Sequence, residues 1–261
     1  MSASQNEAPR TGETTTLSLA LGTSFRSFTY RPQTSDAGVI DQVFQKNDYN
    51  IRRLTRAAEL IDYGGRKAEG GKTPLIIDAG ANIGASPLYF QFCFQNARVI
   101  AIEPDDGNFD LLSLNTRGLP VECIRGAVAA APGRVHVVDP GLGAWGYRTE
   151  RCDERAENRG HGDSAVTCVT INQLYETHRQ DCFPYIVKID IEGGEDELFS
   201  SNTEWVSATP LIIIELHDWM LPGKSSSRNF LKCISNLNRD FVYLNENIFS
   251  IDNTLLSRPT P

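Results

Sequence analysis

The stretch Leu75-Ile-Ile-Asp78-Ala-Gly80-Ala-Asn82-Ile-Gly84-Ala-Ser86-Pro87 decides the fold of this 261-residue chain. A short apolar run ends on a carboxylate and a glycine-containing turn follows. A helix is predicted to begin near Ser86, with Pro87 in its first turn, where a missing N–H costs no hydrogen bond. Gly80 permits a tight turn and a close ligand approach, and Gly84 lets the helix start sit near the strand. Unpaired N–H groups at that helix start favour a polar or anionic ligand group. This is the strand–turn–helix opening of a nucleotide site. In the dinucleotide form of that opening a second glycine lets the backbone reach a pyrophosphate. Asn82 stands at that position and Ala85 at the last one, so a cofactor without a pyrophosphate suits the loop better.

Moving outward, β-rich runs recur at 99–103, 121–124, 185–190 and 211–216, with helix-length stretches between them at Ser86–Gln95, Asn108–Arg117, Ile171–His178, Glu195–Ser200 and Arg228–Leu237. Near-continuous apolar strands separated by helices indicate a parallel sheet covered on both faces. Phe241–Leu244 and Ile248–Ile251 read as a closing hairpin that adds one antiparallel strand. The expected fold is α/β: a doubly wound, mostly parallel Rossmann-like sheet with that C-terminal hairpin strand and an N-terminal helical extension. Residues 1–20 are expected as a disordered tail, 21–70 as the helical extension ending in a flexible connector at Gly64-Gly65 and Gly70-Gly71, and 71–261 as the main domain. Arg134–Val169 breaks the rhythm with short alternating runs around a polar tract, 150–164, read either as a solvated hairpin loop or as a lid.

Composition narrows the function. The net charge is −8 and the pI about 5.1, which gives no field for gathering phosphate backbones, so nucleic acid is not an expected partner. No apolar run approaches a membrane span and no signal peptide is evident, so no membrane partner is expected and the expected location is the cytoplasm. The six cysteines are far apart, without the spacing of a zinc or redox pair.

The second strand ends on Glu103, nineteen residues after Gly84. That is close to the ~20-residue offset of the carboxylate that holds a ribose diol in doubly wound folds. Asp105 or Asp106 is placed to cap the next helix. Pro104 is placed to lie against a base, and Gly126-Ala127-Val128 is small enough to leave room for its edge.

Together, Asp78-x-Gly80-x-Asn82-x-Gly84, Glu103-Pro104-Asp105, Lys188-Ile-Asp190-Ile-Glu192-Gly193-x-Glu195 and Ile214-Glu215-Leu-His217 resemble the FkbM family of S-adenosylmethionine-dependent methyltransferases, in the family's order and spacing. Thr34-Ser35-Asp36-x-x-Val39-x-x-x-Val43-Phe44, followed by Tyr49, is similar to that family's N-terminal region. The chain departs from it at Asn172, at Gly194 and in the insertion at 150–164. The resemblance implies methyl transfer from S-adenosylmethionine to a hydroxyl of a small molecule, a sugar or a polyketide-type natural product. It implies that Asp78, Gly80, Asn82 and Gly84 hold the methionine end, that Glu103 takes the ribose, and that Pro104, Asp105 and Ala127 border the adenine. Ala81 and Asn108 complete the expected cofactor contacts.

A hydroxyl becomes a useful nucleophile only as its proton leaves, so a base or a metal is expected beside the methyl group. Asp190 and Glu192 follow the fourth parallel strand, one expected to meet the cofactor's ammonium and the other the acceptor. Glu195 to Glu197 read as acidic residues at a helix start. His217 ends the fifth strand, and an ordinary imidazole pKa near 6.5 suits a general base. The expected catalytic residues are therefore His217, Asp190 and Glu192. Asp190, Glu192, Glu215 and His217 are also compatible with Mg²⁺ or Mn²⁺, a less favoured arrangement. His136, His161 and His178 are expected at the surface, and Tyr49, Trp145, Tyr147 and Trp219 are candidates for an acceptor pocket. Two other readings stand beside the transferase: an NAD-dependent oxidoreductase, opposed by Asn82, and a non-catalytic S-adenosylmethionine-binding protein.

Overall fold

The computed structural model describes residues 13–138, 148–151 and 165–257. Five parallel strands carry the main sheet: β3 (Thr73–Ala79), β4 (Arg98–Glu103), β5 (Val121–Arg125), β10 (Cys182–Ile189) and β11 (Leu211–Glu215). The hairpin β12 (Arg239–Leu244) and β13 (Asn247–Asp252) joins at one edge, giving the order β12-β13-β11-β10-β3-β4-β5, with β13 antiparallel to both neighbours. The predicted doubly wound sheet and its closing hairpin are both present.

Alternation along each strand divides the core. Ile76, Val99, Ile186, Ile213 and Phe249 face one side, and Ile77, Ile100, Val187, Ile212 and Ile214 face the other. On the first side lie α2 (Ala57–Ala68) and α3 (Ala85–Cys93), with α4 (Asp106–Asn115) packed against β4 and β5. On the second lie α5 (Ile171–His178), α6 (Glu195–Leu198), α7 (Glu204–Ala208) and α8 (Arg228–Ser235), which contribute Leu174, Leu198, Trp205 and Phe230. Strands buried on both faces read as continuous apolar runs for this reason. Helix starts follow the expected chemistry: Asp105 accepts from the N–H of Asn108, and Thr170 with Gln173 forms a reciprocal capping box on α5.

The N-terminal expectation needs correction. Thr15–Leu21 and Ser24–Tyr30 are β-strands, β1 and β2, paired as an antiparallel hairpin, so a disordered tail does not reach residue 20 and the extension is not wholly helical. Leu19, Leu21 and Phe28 are buried, and burying that apolar face is what orders the segment. Helical structure begins with α1 (Asp36–Ile40), continues as one wider turn to Gln45 and resumes at α2. Gly64 and Gly65 lie inside α2 and are not a connector; a Cβ at Gly64 would sit 3.1 Å from the Tyr185 ring, so glycine there lets the helix lie close on β10. Residues 1–12 lie outside the described residues.

Beyond β5, a second sheet of order β6-β9-β7-β8 is built from Ala127–Val128, Gly133–Val138, Arg148–Arg151 and Ala165–Val169. The alternating runs around 134–169 are thus paired strands, with β7 antiparallel to both β8 and β9. Trp145, Tyr147, His161 and most of the 150–164 tract lie outside the described residues. His178, expected at the surface, is buried, with Nδ1 3.1 Å from the Arg98 guanidinium. Among the described residues, no helix is long and apolar enough to cross a membrane.

Candidate active site

The strand order changes direction between β3 and β10, and ligands in open α/β sheets bind outside the carboxyl ends of strands at such a point. Gly80 makes the turn there with φ of +81°, and a Cβ on it would overlap the carbonyl oxygen of Asp190. Glycine is therefore required by the closeness of β3 and β10 as well as by the turn. The N–H groups of Gly80 and Ala81 both donate to Ile102 O at 3.0 Å, and the N–H of Asn82 donates to Glu103 Oε2 at 2.9 Å. Gly84, with φ of +92°, would bring a Cβ within 3.2 Å of Leu112 on α4, so its small size serves helix–helix contact and not the strand.

A cavity of about 490 Å³ opens in front of this loop. Gly80, Ala81, Asn82, Asp190, Glu192 and Glu215 form its floor, and Thr34, Ser35, Gly38 and Gln42 from the N-terminal segment roof it. Trp219 and Glu246 stand at its side. Beneath the floor, Lys188 Nζ donates to Gly80 O at 2.7 Å and lies 3.1 Å from Asp78 Oδ1 and 3.5 Å from Asp190 Oδ2. Burial opposes the lysine's charge, but Asp78, Tyr49 and Asp190 together hold its pKa above the ordinary value. Asp78 is fully buried, and desolvation raises its pKa despite the lysine. The Tyr49 ring lies 5.7 Å from the ammonium.

His217 is 1 % exposed and gathers four carboxylates. Its Nδ1 is 2.7 Å from Glu195 Oε1, whereas Nε2 is 3.4 Å from Glu192 Oε2 and 3.6 Å from both Asp190 Oδ1 and Glu215 Oε1. Burial works against a charged imidazole, but the Glu195 hydrogen bond and the charges of Asp190 and Glu192 outweigh it and push the pKa up to about 9. The imidazole is thus not in an ordinary environment: its carboxylate neighbours favour the charged form. Burial first, then the charge of Asp190, raises Glu192 and Glu215 well above the usual carboxylate range.

The structure thus brings Gly80, Ala81, Asn82, Asp190, Glu192 and His217 together, with Asp78 directly behind. Glu103, Pro104, Asp105, Asn108 and Ala127 do not line this cavity. Glu103 is 5 % exposed and accepts from the N–H groups of Asn82 and Asp105, while burial pushes its pKa up to about 7. Asn108 Oδ1 accepts from Arg31, which also pairs with the buried Asp36. Ala127 packs among Ala129, Val135, Val166 and Cys168 of the second sheet, and the small size of Gly126 makes way for the Thr167 carbonyl. Of the roof residues, Thr34 and Ser35 fall within the N-terminal stretch that resembles the family, whereas Gly38 and Gln42 had no signature in the sequence. Glu195 read as a helix-start acid, yet it is fully buried on His217.

The chain matches the Methyltransferase FkbM domain over residues 78–243. It is 25 % identical over 198 residues to the hexuronic acid methyltransferase AglP of Haloferax volcanii, covering 74 % of this chain and 77 % of that protein. Solved structures with a similar course include the fibrillarin/Nop5p complex, at 11 % identity and TM-score 0.38 over 69 % of this chain and 71 % of that one. TrmK of M. capricolum in complex with S-adenosylhomocysteine matches at 13 % identity and TM-score 0.33, over 70 % and 64 % of the two chains. With the domain match spanning more than half its length, this chain belongs to the FkbM methyltransferase family, whose reaction class is S-adenosylmethionine-dependent methyl transfer.

Proposed function

We propose that this protein transfers a methyl group from S-adenosylmethionine to a hydroxyl oxygen of a small, polyhydroxylated acceptor such as a sugar. The observation that carries the reading is that one cavity holds both the Gly80–Asn82 loop and the carboxylates of Asp190, Glu192 and Glu215. The chemistry of the donor set fits the cofactor. Its methionine end carries an ammonium and a sulfonium beside one carboxylate, and the lining supplies the carboxylates of Asp190, Glu192, Glu215 and Glu246 and the ammonium of Lys188. A volume of about 490 Å³ lies within the ~300–1,000 Å³ of small-molecule sites.

When bound, the cofactor supplies a carbon whose bond to a sulfonium breaks as its bond to the acceptor oxygen forms. The rest belongs to the chain. Asp190 would meet the ammonium end beside the Gly80 turn, with Asp78 and Lys188 buried behind it. The roof residues Ser35 and Gly38 exclude water, which strengthens each electrostatic contact inside. The acceptor enters along Trp219, whose ring offers an apolar face to a sugar, and its hydroxyls donate to Glu246 and Glu215. The proton that leaves the reacting hydroxyl goes to a carboxylate of the Asp190, Glu192 and Glu215 group, with His217 holding that group in place.

Calorimetry with S-adenosylhomocysteine and with NAD, followed by mass analysis of acceptors incubated with S-adenosylmethionine, tests the reading. Micromolar binding of the first ligand alone and an alkali-stable methyl group on a neutral sugar are expected. A methyl group that alkali removes would mark a carboxylate acceptor, and binding of NAD alone would overturn the assignment.

A further inference from the structure

We propose that Asp190, Glu192 and His217 form a divalent-cation site of the magnesium or manganese class, with Glu195 as the residue that aims the histidine. One oxygen or nitrogen from each of the three lies within 4.8 Å of the others. The Nε2-to-oxygen distances of 3.4 and 3.6 Å approach the separation of neighbouring ligand atoms around a cation with ~2.1–2.4 Å bonds, about 3.0–3.4 Å. The two carboxylate oxygens are the hard ligands that magnesium and manganese take, and the imidazole adds a nitrogen donor beside them.

Two further features point to a ligand. Glu192 Oε2 is sealed from solvent, makes no hydrogen bond and stands 3.4 Å from Nε2, longer than a good N–H···O bond. His217 is 99 % buried, and only its Nδ1 is spent on a hydrogen bond, to Glu195 at 2.7 Å. A carboxylate behind Nδ1 fixes the tautomer that presents a lone pair at Nε2, which is the arrangement found behind metal-bound histidines. The side that faces away from the protein opens into the cavity lined by Asp190, Glu192 and Glu215. Positions left open on the cation therefore face the acceptor, and a pair of neighbouring hydroxyls is the chemistry that would fill them. Binding of the cation rests on these side chains alone; its use in anchoring the acceptor rests on the function proposed above.

The test titrates the chelator-stripped full chain with manganese(II) chloride, following free ion by electron paramagnetic resonance. One saturable site is expected, weakened at least about tenfold by Glu192→Gln and by His217→Gln. Pulsed resonance of the bound ion is expected to show coupling to one imidazole nitrogen that His217→Gln removes. Circular dichroism checks that each variant is folded; should His217→Gln fail to fold, Glu192→Gln and the nitrogen coupling in the unaltered protein decide. Absence of saturable binding up to about 1 mM, equal binding by both variants, or no nitrogen coupling would overturn the site. Binding of S-adenosylhomocysteine, measured separately, tells the two readings apart. If it is lost while manganese binds, the methyl-transfer reading fails and the cation site stands; the converse result removes the site alone.

Discussion

Lys188 Nζ lies 3.1 Å from Asp78 Oδ1, with side chains 2 % and 0 % exposed, beneath the floor of the cavity. The ammonium holds the carboxylate of β3 and the Gly80 carbonyl to β10 and lowers the repulsion between Asp78 and Asp190. Breaking a buried pair by removing one partner costs about 3–5 kcal/mol, because the remaining charge is stranded. Lys188→Met is expected to lose stability on that scale in urea titrations. Lys188→Met with Asp78→Asn should recover part of it, because neither charge is then stranded. A Lys188→Met protein as stable as the original would show that the pair is idle.

Gly80→Ala tests the closeness of the two strands. The added methyl meets the Asp190 carbonyl and the residue must hold a positive φ, so both packing and backbone oppose it. Calorimetry is expected to show S-adenosylhomocysteine binding weakened by about a hundredfold or more, equivalent to about 3 kcal/mol.

Glu103 sets a pH dependence of folding. Its pKa rises from 4.5 to about 7 on burial. A raised carboxylate pKa means that the folded state binds the proton more tightly. The associated stability is complete below 4.5 and is lost as pH climbs through 7. Denaturant unfolding at pH 5.5 and pH 8 is expected to show the original protein losing about 2 kcal/mol more than Glu103→Gln across that interval. Parallel losses in the two proteins would place the titration elsewhere.

Trp219 is 63 % exposed beside the cavity and 6.5 Å from the His217 ring. Little folding energy depends on a side chain so open to water, so Trp219→Ala should leave the melting temperature nearly unchanged. Loss of ring stacking worth about 0.5–1.5 kcal/mol should raise the acceptor KM several-fold to about tenfold, with cofactor affinity preserved. A change in cofactor binding alone would move the residue out of the acceptor path.

The central strands were legible because β3, β4, β10 and β11 are apolar on both faces, a pattern that survives without knowledge of neighbours. The Gly80 turn was legible in its residues but not in its cause, since the oxygen that forbids a side chain belongs to Asp190, 110 residues later. Leu17, Leu19 and Leu21 alternate as a strand should, yet Thr14–Thr16 before them and Ser18 among them gave the segment a polar composition. For His217 the sequence supplied position and chemistry but not ionisation. That property depends on Glu195, which reaches the ring through the turn from β10 into α6 and is fully buried there.

The roof of the cavity has a consequence for how the molecule is made. Gln42 and Asp48 bond to Glu246 and Asn245, and Arg56 pairs with Asp240. In the same layer Phe28, Val43 and Tyr49 share a core with Phe249 and Ile251. Residues 42–56 therefore have partners close to two hundred residues later in the sequence. Contacts across some two hundred residues carry a large loop-closure cost before they return any energy, and chains dominated by them fold slowly. Phe28 also meets Phe44, and Tyr49 meets Phe90, so part of this layer can form early, whereas the bonds to Asn245 and Glu246 fasten the roof only once the hairpin β12–β13 is in place.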